Sequence, residues 1–534
     1  MDEWHEIGIR VIGLTRKLVT TLSVVDSNGE ANIADILADY LREQSRDLPH
    51  VEVSAVEVPK PTACRAVMAY CPAAIGTERT LLLMGHTDTV GLEPYGPLAS
   101  LATDSTALKE HYAKQENPAI AQAAQSKDWA FGRGWLDMKG GVAAIVEVFL
   151  REARERELPV NLVLLLTPDE ESASRGLRAL VPELIKLKAE HGLEFEHVVN
   201  ADYVSPLTET DENRYFYSGV VGKFLVGVSV FGRTTHVGET FGGVNASALA
   251  GYLAYGLEHD RKLMAGVGGE WLPPPTVLHM GDRRQRYDVM TLDCAELYVN
   301  VFHLSPEPQA WWRALLNEVR RLVNRYDIEL RRRYNRFVAK SDQQLPRYDQ
   351  TPEVIDFDAL AKRVEQQTNQ AQALVEQLRT EAFTTYTDER QRALHVIRGL
   401  HGQLPPGRPV VVVSLLPPFY PAQDNTKQDP HTAALIELTR AEGLKHKRIY
   451  PYISDMSYFC FSDRESLAAW AGQSPVWFDP AEIDGYEQIA ARVCNIGPWG
   501  IGAHTAEERV HLPYLRDTLP RLLSTALHRL AGIE

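Results

Sequence analysis

Positive charge is in short supply in this chain of 534 residues: 56 Lys and Arg stand against 71 Asp and Glu, leaving a formal net charge of −15. Nucleic acid and anionic membrane surfaces repel such a chain, so neither is expected as a partner. The one basic run, Arg320 to Arg336 with "RRRYNR", reads as the solvated face of a helix. Cysteine is scarce too. Its five residues (Cys64, Cys71, Cys294, Cys460, Cys494) are scattered and form no C-x-x-C pair, which excludes a zinc ribbon or redox pair and fits a reduced, cytoplasmic protein. The opening "MDEWHEIGIRVIGLTRKL" lacks the positive start of a secretory leader. No segment offers the roughly eighteen unbroken apolar residues that a spanning helix needs.

What is present is a long alternation of helix and strand. "TLLLMG" and "VNLVLLLT" are apolar without alternation, as strands buried on both faces of a parallel sheet are, while "GEANIADILADYL" and "GGVAAIVEVFLREA" have helical spacing. The chain is long enough for at least two domains. The texture changes near residue 215: "KFLVGVSVFG", "NASALAGYLAYGLEHD", "AELYVNVFHLS" and a helix capped by Ser305-Pro306 read as a compact α+β module. Two helices, about 353–380 and 387–400, are predicted after it. Beyond about 420 the α/β texture returns. The expected division is therefore a catalytic domain in two parts, 1–213 and 420–534, with an inserted domain at 214–419. Residues 92–128 form a long polar excursion, expected to pass over the site.

Five places carry chemistry. His86 and Asp88 in "GHTDTV" stand at the carboxyl end of a strand, where open α/β sheets bind ligands. Asp137 lies in "GRGWLDMKGG", Glu170 and Glu171 in "TPDEES", Asp202 in "VVNADYV" and His504 in "GIGAHTAEE". Singly, Asp137 reads as a helix cap, the glutamates as a solvated turn and His504 as a turn histidine. As a set, two imidazoles and several carboxylates suit borderline divalent ions such as Zn²⁺. One bridging aspartate, one glutamate on metal and one beside it as general base would make a hydrolytic centre. Asp88 is placed to hydrogen-bond the second nitrogen of His86.

In this order the motifs resemble those of the M20 metallopeptidase family, the group of carboxypeptidase G2, aminoacylase and the PepT/PepV dipeptidases. The resemblance implies an α/β fold: a zinc-peptidase-like catalytic domain with a mixed, largely parallel sheet covered by helices, plus an inserted α+β, ferredoxin-like lid. It implies two divalent ions, Zn²⁺ or else Mn²⁺ or Co²⁺. His86 and Asp202 would hold one, Glu171 and His504 the other, with Asp137 between them and Glu170 as base. "TTHVGETFGGVNA" resembles the lid motif whose histidine, here His236, reaches a substrate carbonyl, often across a homodimer formed through the lid; Asn245 belongs to the accompanying element and is expected to bind substrate. Phe302 stands where many relatives have an arginine for a substrate carboxylate. The enlargements at 92–128 and 353–400, with "FYPAQDN" and "YISDMSYF", resemble the arginine-utilisation RocB branch, which implies a role in amino-acid catabolism.

The expected activity is hydrolysis of an amide bond in a small peptide or N-acyl amino acid. Asp202, where deacylases tend to have Glu, tilts toward a dipeptidase; a deacylase is the alternative. A third reading is an accessory protein that binds metal without turnover. Glu170 argues against it, since a site kept only for metal has no need of a base.

Overall fold

The computed structural model describes residues 3–533 apart from 209, 283, 285, 305–307, 342–344, 426–428, 462–469 and 477–479. The predicted Ser305-Pro306 cap lies outside the described residues. The chain divides into two compact units, one of Met1–Val220, Gln423–Ser462 and Asp484–Glu534, the other of Val221–Ala422 and Asp463–Ile483.

In the first unit an eight-stranded sheet runs in the order Glu52–Glu57, Arg65–Cys71, Asn161–Thr167, Arg79–His86, Glu194–Asn200, Arg492–Asn495, Tyr215–Tyr217, Lys445–Lys447. Its centre is parallel: Arg79–His86 pairs in parallel with both neighbours, as Arg492–Asn495 does with Glu194–Asn200. Register then places the site. His86 pairs with Thr167, Met84 with Asn200 and Asn200 with Asn495, so four chain segments leave the same edge together.

The helix Lys139–Glu155 is buried along nearly its whole length, the position of a helix inside a core, with Glu147 and Glu152 buried among its apolar residues. With Glu3–Thr20, Gly29–Gln44 and Leu519–Ala531 it closes the core over the sheet. Burying each Leu or Phe there contributes about 1.5–3 kcal/mol. Gly141 is required by close approach: a Cβ would stand 2.0 Å from the carbonyl oxygen of Ala201. That contact sets the start of the helix, where Asp137 lies, against the chain that carries Asp202.

The second unit has a five-stranded sheet in the order Thr276–Gly281, Cys294–His303, Gly222–Phe231, Val410–Tyr420, Glu353–Asp356. Its first four strands are antiparallel and stand in the spatial order 4-1-3-2 reversed, the ferredoxin-like arrangement. The helix Pro308–Ser341 buries Trp312, Leu315, Leu316, Val319, Leu322 and Val323 and turns Arg320, Arg332, Arg333 and Arg336 to solvent.

Two expectations need correction. The single helix predicted over 353–380 is a strand, Glu353–Asp356, and two helices, Phe357–Thr368 and Ala371–Thr385, separated by Asn369 in the left-handed conformation. The segment Asp463–Ile483, assigned from sequence to the catalytic domain, belongs to the second unit: Trp470 packs on Phe224, Trp311 and Trp312, and the Gln473 carbonyl accepts from the Leu415 N–H. Among the described residues no helix is long and apolar enough to cross a membrane.

Candidate active site

The shared sheet edge brings His86, Asp137, Glu171, Asp202 and His504 into one pocket of the first unit. His86 Nε2 lies 3.0 Å from Asp137 Oδ1 and 4.0 Å from Asp202 Oδ1. His504 Nε2 lies 2.9 Å from Asp137 Oδ2 and 3.0 Å from Glu171 Oε1. Asp137 thus stands between the two imidazoles, one carboxylate oxygen toward each. His86, Asp137 and Glu171 also offer ligand atoms that lie within 4.8 Å of one another.

Asp88 is placed differently from the sequence expectation. The close partner of His86 Nδ1 is the main-chain carbonyl of Asp88, at 3.1 Å, while the carboxylate stands off at 3.6 Å. A carbonyl only accepts, so Nδ1 carries a hydrogen; the protonated ring donates through Nε2 to Asp137, and loss of that second proton would free the Nε2 lone pair for a metal. The Asp88 carboxylate instead accepts the N–H groups of Glu170 (3.2 Å) and Glu171 (3.1 Å) and fixes the turn that carries both.

The carboxylates outnumber the cations. Burial, then the nearby Asp137 charge, pushes Asp202 up to about 7, and the same two causes raise Glu171. Burial drives Glu170 well above the ordinary glutamate range, with Glu171, Asp455 and Asp202 adding to it against His86. Burial opposes charge on the imidazoles too, yet the surrounding carboxylates win: His86 is held well above its usual value and His504 is raised to about 10. Asp137 is held low because the histidine hydrogen bonds overcome its burial. Such a pocket is short of positive charge, and its imidazole and carboxylate donors are those that borderline divalent cations take. The residues fit the metal centre that the sequence suggests.

Three supports had no signal in the motif reading. Glu508, fully buried, accepts from Arg133 Nη1 at 2.5 Å and from the main-chain N–H groups of Gly134, Leu136 and Asp137. Asp169, directly before Glu170, pairs at 2.9 Å with Lys60, which also holds Glu30 at 2.7 Å; none of these three side chains is exposed. Tyr203, Tyr450 and Tyr452 cluster beside Asp202, with ring centroids 4.9 and 5.3 Å apart. "YISDMSYF" held one of these groups, Tyr452, beside the buried Asp455, but its spacing assigns neither a role.

His236 and Asn245 belong to the second unit. The Asn245 side chain accepts from Ser247 N–H and caps the helix Ala246–Leu257, a structural task. His236 is exposed, and its Nδ1 accepts from Gly238 N–H at 3.1 Å.

The sequence profile described as peptidase family M20/M25/M40 matches residues 82–517, a span that contains His86, Asp137, Glu171, Asp202 and His504. The chain belongs to this family. M20 membership makes it a metal-dependent peptidase or amidohydrolase. It is 26% identical to Protein RocB of Bacillus subtilis (strain 168), over 98% of this chain and 95% of that one. It is also 27% identical to the uncharacterized protein YqjN of the same organism, over 97% and 96%. These full-length similarities fit the RocB branch of M20. In fold it resembles a tripeptidase from Staphylococcus aureus, with TM-score 0.52, 16% identity, and 98% of this chain and 99% of that one covered.

Proposed function

We propose that this M20 protein is a two-metal hydrolase that cleaves an amide bond in a small peptide or an N-acyl amino acid, in amino-acid catabolism and specifically that of arginine. The observation that carries the reading is Asp137 held between His86 and His504, with Glu171 and Asp202 on either side and Glu170 next to them. His86 and Asp202 would hold one ion, Glu171 and His504 the other, and Asp137 both. Two divalent ions, Zn²⁺ or else Mn²⁺ or Co²⁺, would acidify a water and polarise the substrate carbonyl.

The chain's own groups do the rest. Glu170, its proton affinity raised by burial, takes a proton from the attacking water and hands it to the leaving amine. Asp88 keeps Glu170 in place through the backbone of its turn. His236 donates to the developing oxyanion: with Nδ1 occupied as an acceptor, the neutral ring carries its hydrogen on Nε2. Asn245 binds substrate as well as fixing the start of its helix through its side-chain oxygen.

Asp202 favours a dipeptidase. The deacylase reading is supported by a partial likeness to succinyl-diaminopimelate desuccinylase of Xanthomonas campestris, 30% identical over 36% of this chain and 42% of that one. Partners are read as the small substrate and a second copy of the chain, through the lid formed by the second unit. There the edge strand Thr276–Gly281 leaves Leu278 and Met280 exposed, and an apolar edge favours pairing. The cytoplasm suits five cysteines of which none is in a disulfide. Turnover of a dipeptide and acyl-amino-acid panel with added Zn²⁺, Mn²⁺ or Co²⁺ tests the reading. Hydrolysis of at least one class is expected, and inertness toward all of them with metal bound would favour the accessory-protein alternative.

A further inference from the structure

The excursion at 92–128 is a folded element. Helical turns at Glu93–Leu101, Ser105–Tyr112 and Pro118–Gln125 enclose a small core of Tyr95, Leu108, Tyr112, Ile120 and Phe131. Asp104 and Asn117 cap two of its helices with their side chains. A connection that served only to cross from one strand to the next would need neither caps nor core.

Two of its aromatic side chains, Tyr112 and Tyr95, reach toward the loop that carries His504, one directly and one through Arg133. The Tyr112 hydroxyl donates to the main-chain oxygen of Ala506. Arg133 lies 5.3 Å from the centroid of the Tyr95 ring and donates through Nη2 to the carbonyls of Gly91 (3.3 Å) and His504 (3.2 Å). Through Nη1 it holds Glu508, which in turn collects the amides leading to Asp137. The receiving loop needs such support. His504 sits at φ +64, which a residue with a side chain keeps only when its surroundings impose it, and its side chain is 49% exposed.

We infer that the 92–128 excursion is a buttress for the His504 loop, with Tyr112, and Arg133 beside it, as positioning residues for His504 and so for the ion that His504 and Glu171 would hold. The inference rests on the two-metal reading for its consequence, but the support of the loop can be read without metal. No side chain of the buttress touches substrate; it acts through the position of one imidazole.

Tyr112→Phe is the direct test, because it removes one hydroxyl and leaves the ring to fill the core. Tyr95→Phe is the matched control: its buried hydroxyl has no hydrogen-bond partner among the described residues. Hydrogen exchange of the metal-free protein should quicken at 502–508 in Tyr112→Phe and stay unchanged in Tyr95→Phe. Zn²⁺ titration against a chromophoric chelator should show one of two sites weakened by about 10–100-fold, as when a ligand loses its outer support, and the other intact. Unchanged exchange at 502–508 would overturn the buttress. Equal weakening of both sites would overturn its selectivity for His504. If the unaltered protein bound no ion while exchange still quickened, the two-metal reading and the metal consequence would fall, and the loop contact alone would stand.

Discussion

Glu170→Gln keeps the size of the side chain and removes its capacity to accept a proton, whereas Glu171→Gln replaces a ligand atom 3.0 Å from His504 with a weaker one. The first variant should bind metal normally and lose about 10²–10⁴ in kcat. The second should lose metal. Metal analysis beside steady-state rates separates them, and the reverse pattern would exchange the two roles. The histidines make a further difference measurable. His504, raised to about 10, is protonated at pH 7 in the metal-free protein, and Asp202, near 7, is partly so. Ligands bind metal deprotonated, so binding at pH 7 must release protons, and affinity must rise with pH up to about 10. Calorimetry in buffers of different ionisation heat should find net release; uptake would contradict these assignments. At this scale the residues that the structure brings together were legible because each follows an apolar run or a Gly-rich turn. The ion pair of Arg133 with Glu508 was not, since its partners are 375 positions apart and spacing carries no sign of it.

Glycine shows how an element's neighbours overrule its propensity. In a helix interior Ala is normally more stable than Gly by about 1 kcal/mol. Gly251, in the helix Ala246–Leu257, has open space where an alanine methyl would stand, so Gly251→Ala should raise the unfolding midpoint. Gly141→Ala should lower it, with a cost of about 1–3 kcal/mol, because the methyl meets the Ala201 carbonyl at 2.0 Å and that backbone leads into Asp202. Thermal unfolding of the two variants side by side checks this, and a gain at both positions would show that the helix Lys139–Glu155 is free to move. The helix itself was readable from the helical spacing of its apolar residues. The break near Asn369 was not: Leu360, Val364, Leu374 and Leu378 keep helical spacing across it, and only the left-handed turn divides the segment.

For the whole molecule, the insertion of one unit into the other was visible as a change of texture near 215 and its reversal near 420. The return of Asp463–Ile483 to the second unit was hidden, because Trp470 finds Phe224 and Trp311 only in three dimensions. His236 extends the account beyond the first unit. His236→Ala should bind metal normally and lose about 10²–10³ in kcat. If the histidine serves a second copy, mixing inactive His236→Ala chains with inactive Glu170→Gln chains should restore part of the activity; full activity of His236→Ala alone would remove the oxyanion role.

The central claim is a centre for two ions built around Asp137. Metal-free protein dialysed to equilibrium with saturating Zn²⁺ and then analysed for bound metal tests it most directly. Two ions per chain are predicted, falling to one or fewer when His86 or His504 is replaced by Ala; no more than one ion in the unaltered protein would contradict the account.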